Sequence, residues 1–170
     1  MPADLALLVL RLTLAVVFFA HGWNHVFRGG RIAGTGRWFE SLGMRPGRLH
    51  AWLASLTEMG AGVLLAAGFL MPLAGAGVVG TMVVAWVTNH ARNGFFIFRP
   101  GEGYEYVMTL TFAGAAAGML GAGTWSLDHA ADLFDPPGWE GLWIVLSAGF
   151  GGAAALLATC WRPPDRSPGS

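Results

Sequence analysis

The chain has no lysine, one cysteine and little charge of either sign: ten arginines face ten acidic residues, and charged residues make up only 12% of the 170 positions. Soluble domains carry about twice that charged fraction. A balanced chain without lysine has no electrostatic footprint for nucleic acid, and soluble polyanions are excluded as partners. Because Cys160 stands alone, there is neither an intramolecular disulfide nor a Cys-x-x-Cys relay. Electron chemistry would need a bound cofactor. The first apolar run also lacks the basic leader and small-x-small cleavage site of a secretory signal, so it reads as a retained anchor.

What the chain has in excess is apolar material: 54% hydrophobic residues, 26 glycines, eight tryptophans and a mean hydropathy of +0.52. A water-soluble domain of this length has no surface on which to place it, so lipid must be the solvent. Five segments approach the roughly 20 helical residues that cross a hydrocarbon core. They run from Leu5 to Phe27, Leu49 to Leu70, Leu73 to Asn89, Tyr104 to Leu120 and Trp139 to Trp161. Met71-Pro72 joins the second and third with almost no loop, which makes them an antiparallel hairpin. Recurrent small residues, such as Gly75, Gly114 and Gly118, allow backbones to approach closely within the bundle.

The Arg28 to Arg48 stretch, with Trp38 and Phe39, fits an interfacial amphipathic turn or helix. Asp128, Asp132 and Asp135 precede the Pro136-Pro137 breaker, and the tail over 162–170 has the composition of a disordered segment. The expected organisation is a transmembrane core over 1–128, a loop and extra C-terminal helix over 129–161, and that tail. Every arginine except Arg11 then falls on one side, called B here. The positive-inside rule makes side B cytoplasmic, with the N-terminus outside and the C-terminus inside if all five segments cross the plasma membrane.

Two ionisable residues lie inside these spans, Arg11 and Glu58, each costing on the order of 2.5–3.5 kcal/mol to insert. Glu58 sits about 13 Å from side B, beyond easy snorkelling, so it either carries its proton or finds a donor or cation. Arg11 can snorkel to side A or pair with Glu58 across helices. At the end of the first span, His21 and His25 share a face through their i, i+4 spacing, with Asn24 between them. No second histidine or cysteine cluster accompanies them, so no metal set is assigned. Asn89, His90, Asn93, Glu102, Tyr104 and Glu105 gather on the same side. This convergence describes either a site for a small polar or quinone-like ligand, or an ordinary interface of helix caps.

LLVLRLTLAVVFFAHGWNHVF, RWFESLGM with a proline soon after, LASLTEMGAGVLLAAGFLMP, and NHARNGFF followed by GYEY together resemble the DoxX family of small bacterial membrane proteins. The resemblance extends from about Leu5 to Asp128. It implies an all-α membrane protein with a four-helix transmembrane bundle, to which this chain adds a fifth C-terminal helix. It also implies a quinone-linked redox subunit, in thiosulfate, thiol or oxidative-stress chemistry, with quinone as candidate cofactor. The positions carried over are Arg11, His21, Glu58, Asn93 and Glu105, supported by Gly22, Gly94 and Tyr104. On this reading Glu58 and His21 are the catalytic candidates, and Arg11, Asn24, His25, Asn93, Tyr104 and Glu105 the cofactor-binding ones. Two alternatives stay open. One is a non-enzymatic anchor holding a soluble enzyme through the Arg28 to Arg48 loop; the other is a small-solute carrier, which an Arg11–Glu58 pair would mark.

Overall fold

A computed structural model of the chain describes residues 2–134 and 137–164; Asp135, Pro136, Arg166 and the rest of the tail beyond 164 lie outside the described residues. Among the described residues the regular elements are all helices: α1 (Pro2–Phe27), α2 (Arg31–Ser41), α3 (Gly47–Ala67), α4 (Met71–His90), α5 (Glu105–Leu120), the single turn α6 (Leu127–Ala130) and α7 (Gly138–Cys160). Four of them, α1, α3, α4 and α7, are long and apolar enough to cross a membrane. The C-terminal segment therefore has the dimensions of a span. The fourth expected span is the short one, since the 16 residues of α5 reach only about 24 Å. It packs against α4, α7 and α1 on one face and leaves Phe112 and Leu120 exposed on the other.

Successive long helices run in opposite directions. Asp4 Oδ1 accepts the Thr124 N–H at 3.0 Å, which holds the start of α1 beside the loop after α5. At the other end, Arg162 N–H donates to Gly43 O at 2.9 Å and Arg45 N–H to Cys160 O at 3.1 Å, joining the end of α7 to the loop after α2. The interfacial stretch is realised as the helix α2, packed on α3 and α1. Of the tail, Arg162 takes part in that pairing; residues from 165 onward fall outside the described part.

The outer face of α1 carries Leu5, Val9, Leu12, Val16, Phe19, Trp23 and Phe27 at spacings of three or four, all exposed. In water this stripe would be an aggregation liability; in a bilayer it is a lipid face. Inside, Leu14, Phe18, Leu65, Met71, Val78, Met82 and Val107 form the continuous core. The α4–α5 crossing brings backbone onto backbone: a Cβ on Gly75 would sit 2.7 Å from Gly114 O and 2.9 Å from Gly118 Cα.

The turn between α3 and α4 is held by a residue from far along the chain. Gly68 closes α3 in the left-handed conformation at φ +63°, and the buried Asp128 carboxylate then accepts the Leu70 and Met71 N–H groups at 2.8 and 2.9 Å. Those donors open α4 and have no partner within the helix, so Asp128 acts as its cap from α6. Two stretches, Trp86–His90 at the end of α4 and Val145–Gly151 in α7, widen into π-helical turns.

Candidate functional site

A cavity of about 540 Å³ lies over one face of α4, between α3 and α7, with α2 across its side B end. From α4 it takes Leu73, Gly77, Gly80, Val84 and Thr88, an i, i+3/i+4 stripe covering roughly 20 Å of helix. Both π-helical turns contribute, through Thr88, Asn89 and His90 and through Ala148. Such turns displace side chains from the regular helical register and recur at functional positions. Towards side A the walls are apolar; the polar residues collect at the side B end.

Glu58 and His25 form the centre of that polar end. His25 Nε2 stands 3.5 Å from Glu58 Oε2, with side-chain exposures of 18% and 6%. The His25 ring rests against Trp38 and Phe39 of α2, at centroid distances of 6.4 and 6.1 Å. His21 lies one turn deeper. Its Nδ1 is 2.8 Å from Val17 O, and because a carbonyl only accepts, Nδ1 carries the hydrogen and leaves Nε2 as an acceptor. Tyr106 stands opposite, 6.4 Å from His21 ring to ring.

His50 follows the same logic. Its Nε2 donates to Arg45 O at 3.2 Å, so Nδ1 is an acceptor; that atom is buried and has no hydrogen-bond partner among the described residues. Glu58 Oε2 is buried and equally without a hydrogen bond. Several other polar side chains at this end are occupied. His90 donates through Nδ1 to Glu102 O at 2.8 Å and accepts from Asn89 at 3.2 Å, while the Thr81 and Thr88 hydroxyls donate to carbonyls of their own helix. Among the described residues no three His, Cys, Asp or Glu side chains group as a metal set.

A family model for DoxX matches residues 6–91. The chain belongs to the DoxX family. No curated protein and no solved structure matches it. The match covers α1 to α4, the elements that supply His21, His25, His50, Glu58 and the α4 wall; Tyr106 and α7 lie beyond the matched residues.

The DoxX residues singled out in the sequence divide into two sets. Glu58, His21 and His25 meet at the cavity. Arg11 does not: its guanidinium donates to Leu65 O at 3.2 Å, Ala66 O at 2.8 Å and Trp125 O, at the side A end of α3. It answers the free carbonyls of a helix terminus and makes no pair with Glu58. Asn24 is exposed and outside the cavity lining. Asn93 donates to Asn89 O at 2.8 Å and to Gly101 O, and Glu105 Oε1 accepts the Ile97 N–H at 3.0 Å, so both shape the loop between α4 and α5. Tyr104 stacks on Trp86 at 5.4 Å, against the core.

His50 and Tyr106 are cavity residues that the sequence reading did not select. His50 was within reach, because it lies eight positions before Glu58 and so on nearly the same face of α3. Tyr106 had no such signal. In GYEY, Tyr104 and Tyr106 are equally plausible until the start of α5 is known.

Proposed function

We propose that this DoxX protein is the membrane subunit of a quinone-linked redox system, with the quinone head group at the His21–His25–Glu58 end of the cavity. The observation that carries the reading is Glu58: a buried carboxyl with a free oxygen, at the polar end of an otherwise apolar chamber. About 540 Å³ falls within the usual range for small-molecule sites. An amphipathic ligand, one polar ring on a long apolar chain, fits that division of polarity. Bound quinone supplies two-electron chemistry coupled to protons. The chain's own residues bind and orient the ring, keep water out with Trp38 and Phe39, and hold or release a proton at Glu58 and His21.

On this reading side B, where Arg28, Arg31, Arg37, Arg45 and Arg48 in and around α2 are exposed, faces the cytoplasm and presents a basic surface to a soluble redox enzyme. The test is to purify the protein in mild detergent, quantify extracted quinone, and compare wild type with Glu58→Gln in quinone-dependent turnover with its partner. Bound quinone and at least a tenfold loss in the variant are expected. Unchanged turnover would remove Glu58 from proton transfer. A quinone-free preparation that keeps its enzyme partner would favour the anchor alternative.

A further inference from the structure

Four hydroxyls line the cavity, those of Thr57, Thr81, Thr88 and Tyr106. Thr81 and Thr88 donate to Gly77 O and Val84 O, each at 2.8 Å. In the long helices every other threonine does the same, from Thr13 in α1 to Thr159 in α7: the hydroxyl donates to the carbonyl four residues back. Thr57 is the exception, with no hydrogen bond from its hydroxyl among the described residues. A hydroxyl surrounded by hydrocarbon is costly unless it has a partner, which is why threonine in a membrane helix bonds back to its own turn. Thr57 lies about 15 Å along α3 from Gly47, beyond the reach of interfacial water. The Tyr106 hydroxyl is also without a hydrogen bond among the described residues, but Tyr106 is the second residue of α5, at the side B surface where water serves it. The methyl group of Thr57 leans on the cavity floor, 3.4 Å from where a Cβ on Gly77 would sit.

We infer that Thr57 is a ligand-binding residue, whose hydroxyl holds an oxygen of the ligand's ring while the apolar chain lies over Gly77 and Gly80. The inference rests on the reading of the cavity as a quinone site and adds the residue that anchors the ring. An alcohol both donates and accepts, so the contact forms with a carbonyl or a hydroxyl of the ring, whether or not the neighbouring Glu58 carries its proton. Thr57 precedes Glu58 in the chain, and an oxygen held there sits beside the carboxyl that exchanges the proton. Loss of one such neutral hydrogen bond weakens binding by about threefold to tenfold.

The test uses the full-length protein in phosphatidylcholine nanodiscs, with empty nanodiscs as the reference for partitioning into lipid. A decyl-chain benzoquinone is titrated calorimetrically into wild type, Thr57→Val, Thr57→Ser, Thr81→Val and Tyr106→Phe. Valine keeps the branched shape and removes the hydroxyl; serine keeps the hydroxyl. Thr57→Val should bind at least threefold more weakly, with Thr57→Ser and Thr81→Val within twofold of wild type. In infrared difference spectra a carbonyl band of the bound benzoquinone should rise in Thr57→Val, as a hydrogen bond is lost, and stay at its wild-type position in Thr57→Ser. Unchanged affinity or an unmoved band in Thr57→Val would overturn the role of Thr57 while the quinone reading stands. An equal loss in Thr57→Ser or Thr81→Val would assign the effect to packing, and a loss in Tyr106→Phe alone would move the anchor to Tyr106; either overturns the inference. If the wild type does not bind the benzoquinone, both readings fall.

Discussion

Arg11 and Glu58 carry the same warning in the sequence, a charge where lipid should be, yet the fold uses them at opposite ends. Arg11 donates to three carbonyls and ties α1 to the end of α3 and the loop at Trp125. Replacing it with leucine leaves those acceptors bare while adding apolar contact. We expect Arg11→Leu to lose about 2–4 kcal/mol of stability, read as a lower melting temperature in detergent. The quinone affinity of the surviving folded protein should stay at the wild-type value, because the cavity does not include Arg11. A loss of affinity at unchanged stability would return Arg11 to the binding site. The depth of both residues was legible from span boundaries. Their partners were not: Leu65 O, Ala66 O and Trp125 O become available only once α3 ends at Gly68 and the loop from 121 folds back over it.

At the scale of elements, α4 is the helix that every neighbour measures itself against. Its glycines were visible as a class, and close packing could be inferred from them; which of them touch backbone and which face the cavity depends on rotation about an axis that glycine spacing leaves open. Gly75 faces α5, and a methyl group there would meet backbone atoms at 2.7 and 2.9 Å. Gly75→Ala should destabilise the bundle by about 1–3 kcal/mol, seen as a lower melting temperature. Gly60, on α3, has nothing within 4 Å of an added Cβ, so Gly60→Ala should be neutral or stabilising by up to about 1 kcal/mol. Gly80 is the informative third case. A Cβ there meets Gly149 O at an ordinary 3.5 Å, and a longer side chain has the cavity to enter. Gly80→Leu should keep its melting temperature and weaken binding of a decyl-chain benzoquinone at least fivefold; an unaltered affinity would show that the apolar chain does not lie on this face. The five apolar segments and the hairpin at Met71-Pro72 were legible within a few residues. The π-helical turns that carry Asn89, His90 and Ala148 into the cavity leave no trace in hydropathy.

For the whole molecule, the question is whether α5 carries the chain across the membrane although it is the one long helix that falls short of a full span. Its ends answer in structural terms. At its start, Glu105 holds the loop that follows α4, and just past its end a Cβ on Gly121 would touch Pro137 at the start of α7, so α5 runs the length of the bundle. Neighbouring helices cover one face of it, and local thinning of the bilayer costs only fractions of a kcal/mol per Å of mismatch. Arg37 and Trp125, both exposed, are separated by α3, α4 and α5, and should therefore lie on opposite sides. On a Cys160→Ser background, a membrane-impermeant maleimide should label Trp125→Cys in intact cells and Arg37→Cys only after permeabilisation. The reverse pattern would mean that the arginine distribution does not set the orientation. Labelling of both from one side would mean that α5 turns back within the membrane, and a reporter fused after residue 170 would separate the cases. With five crossings the reporter sits on the side of Arg37, because Trp161 and Arg162 pair with Met44 and Gly43 of the loop after α2.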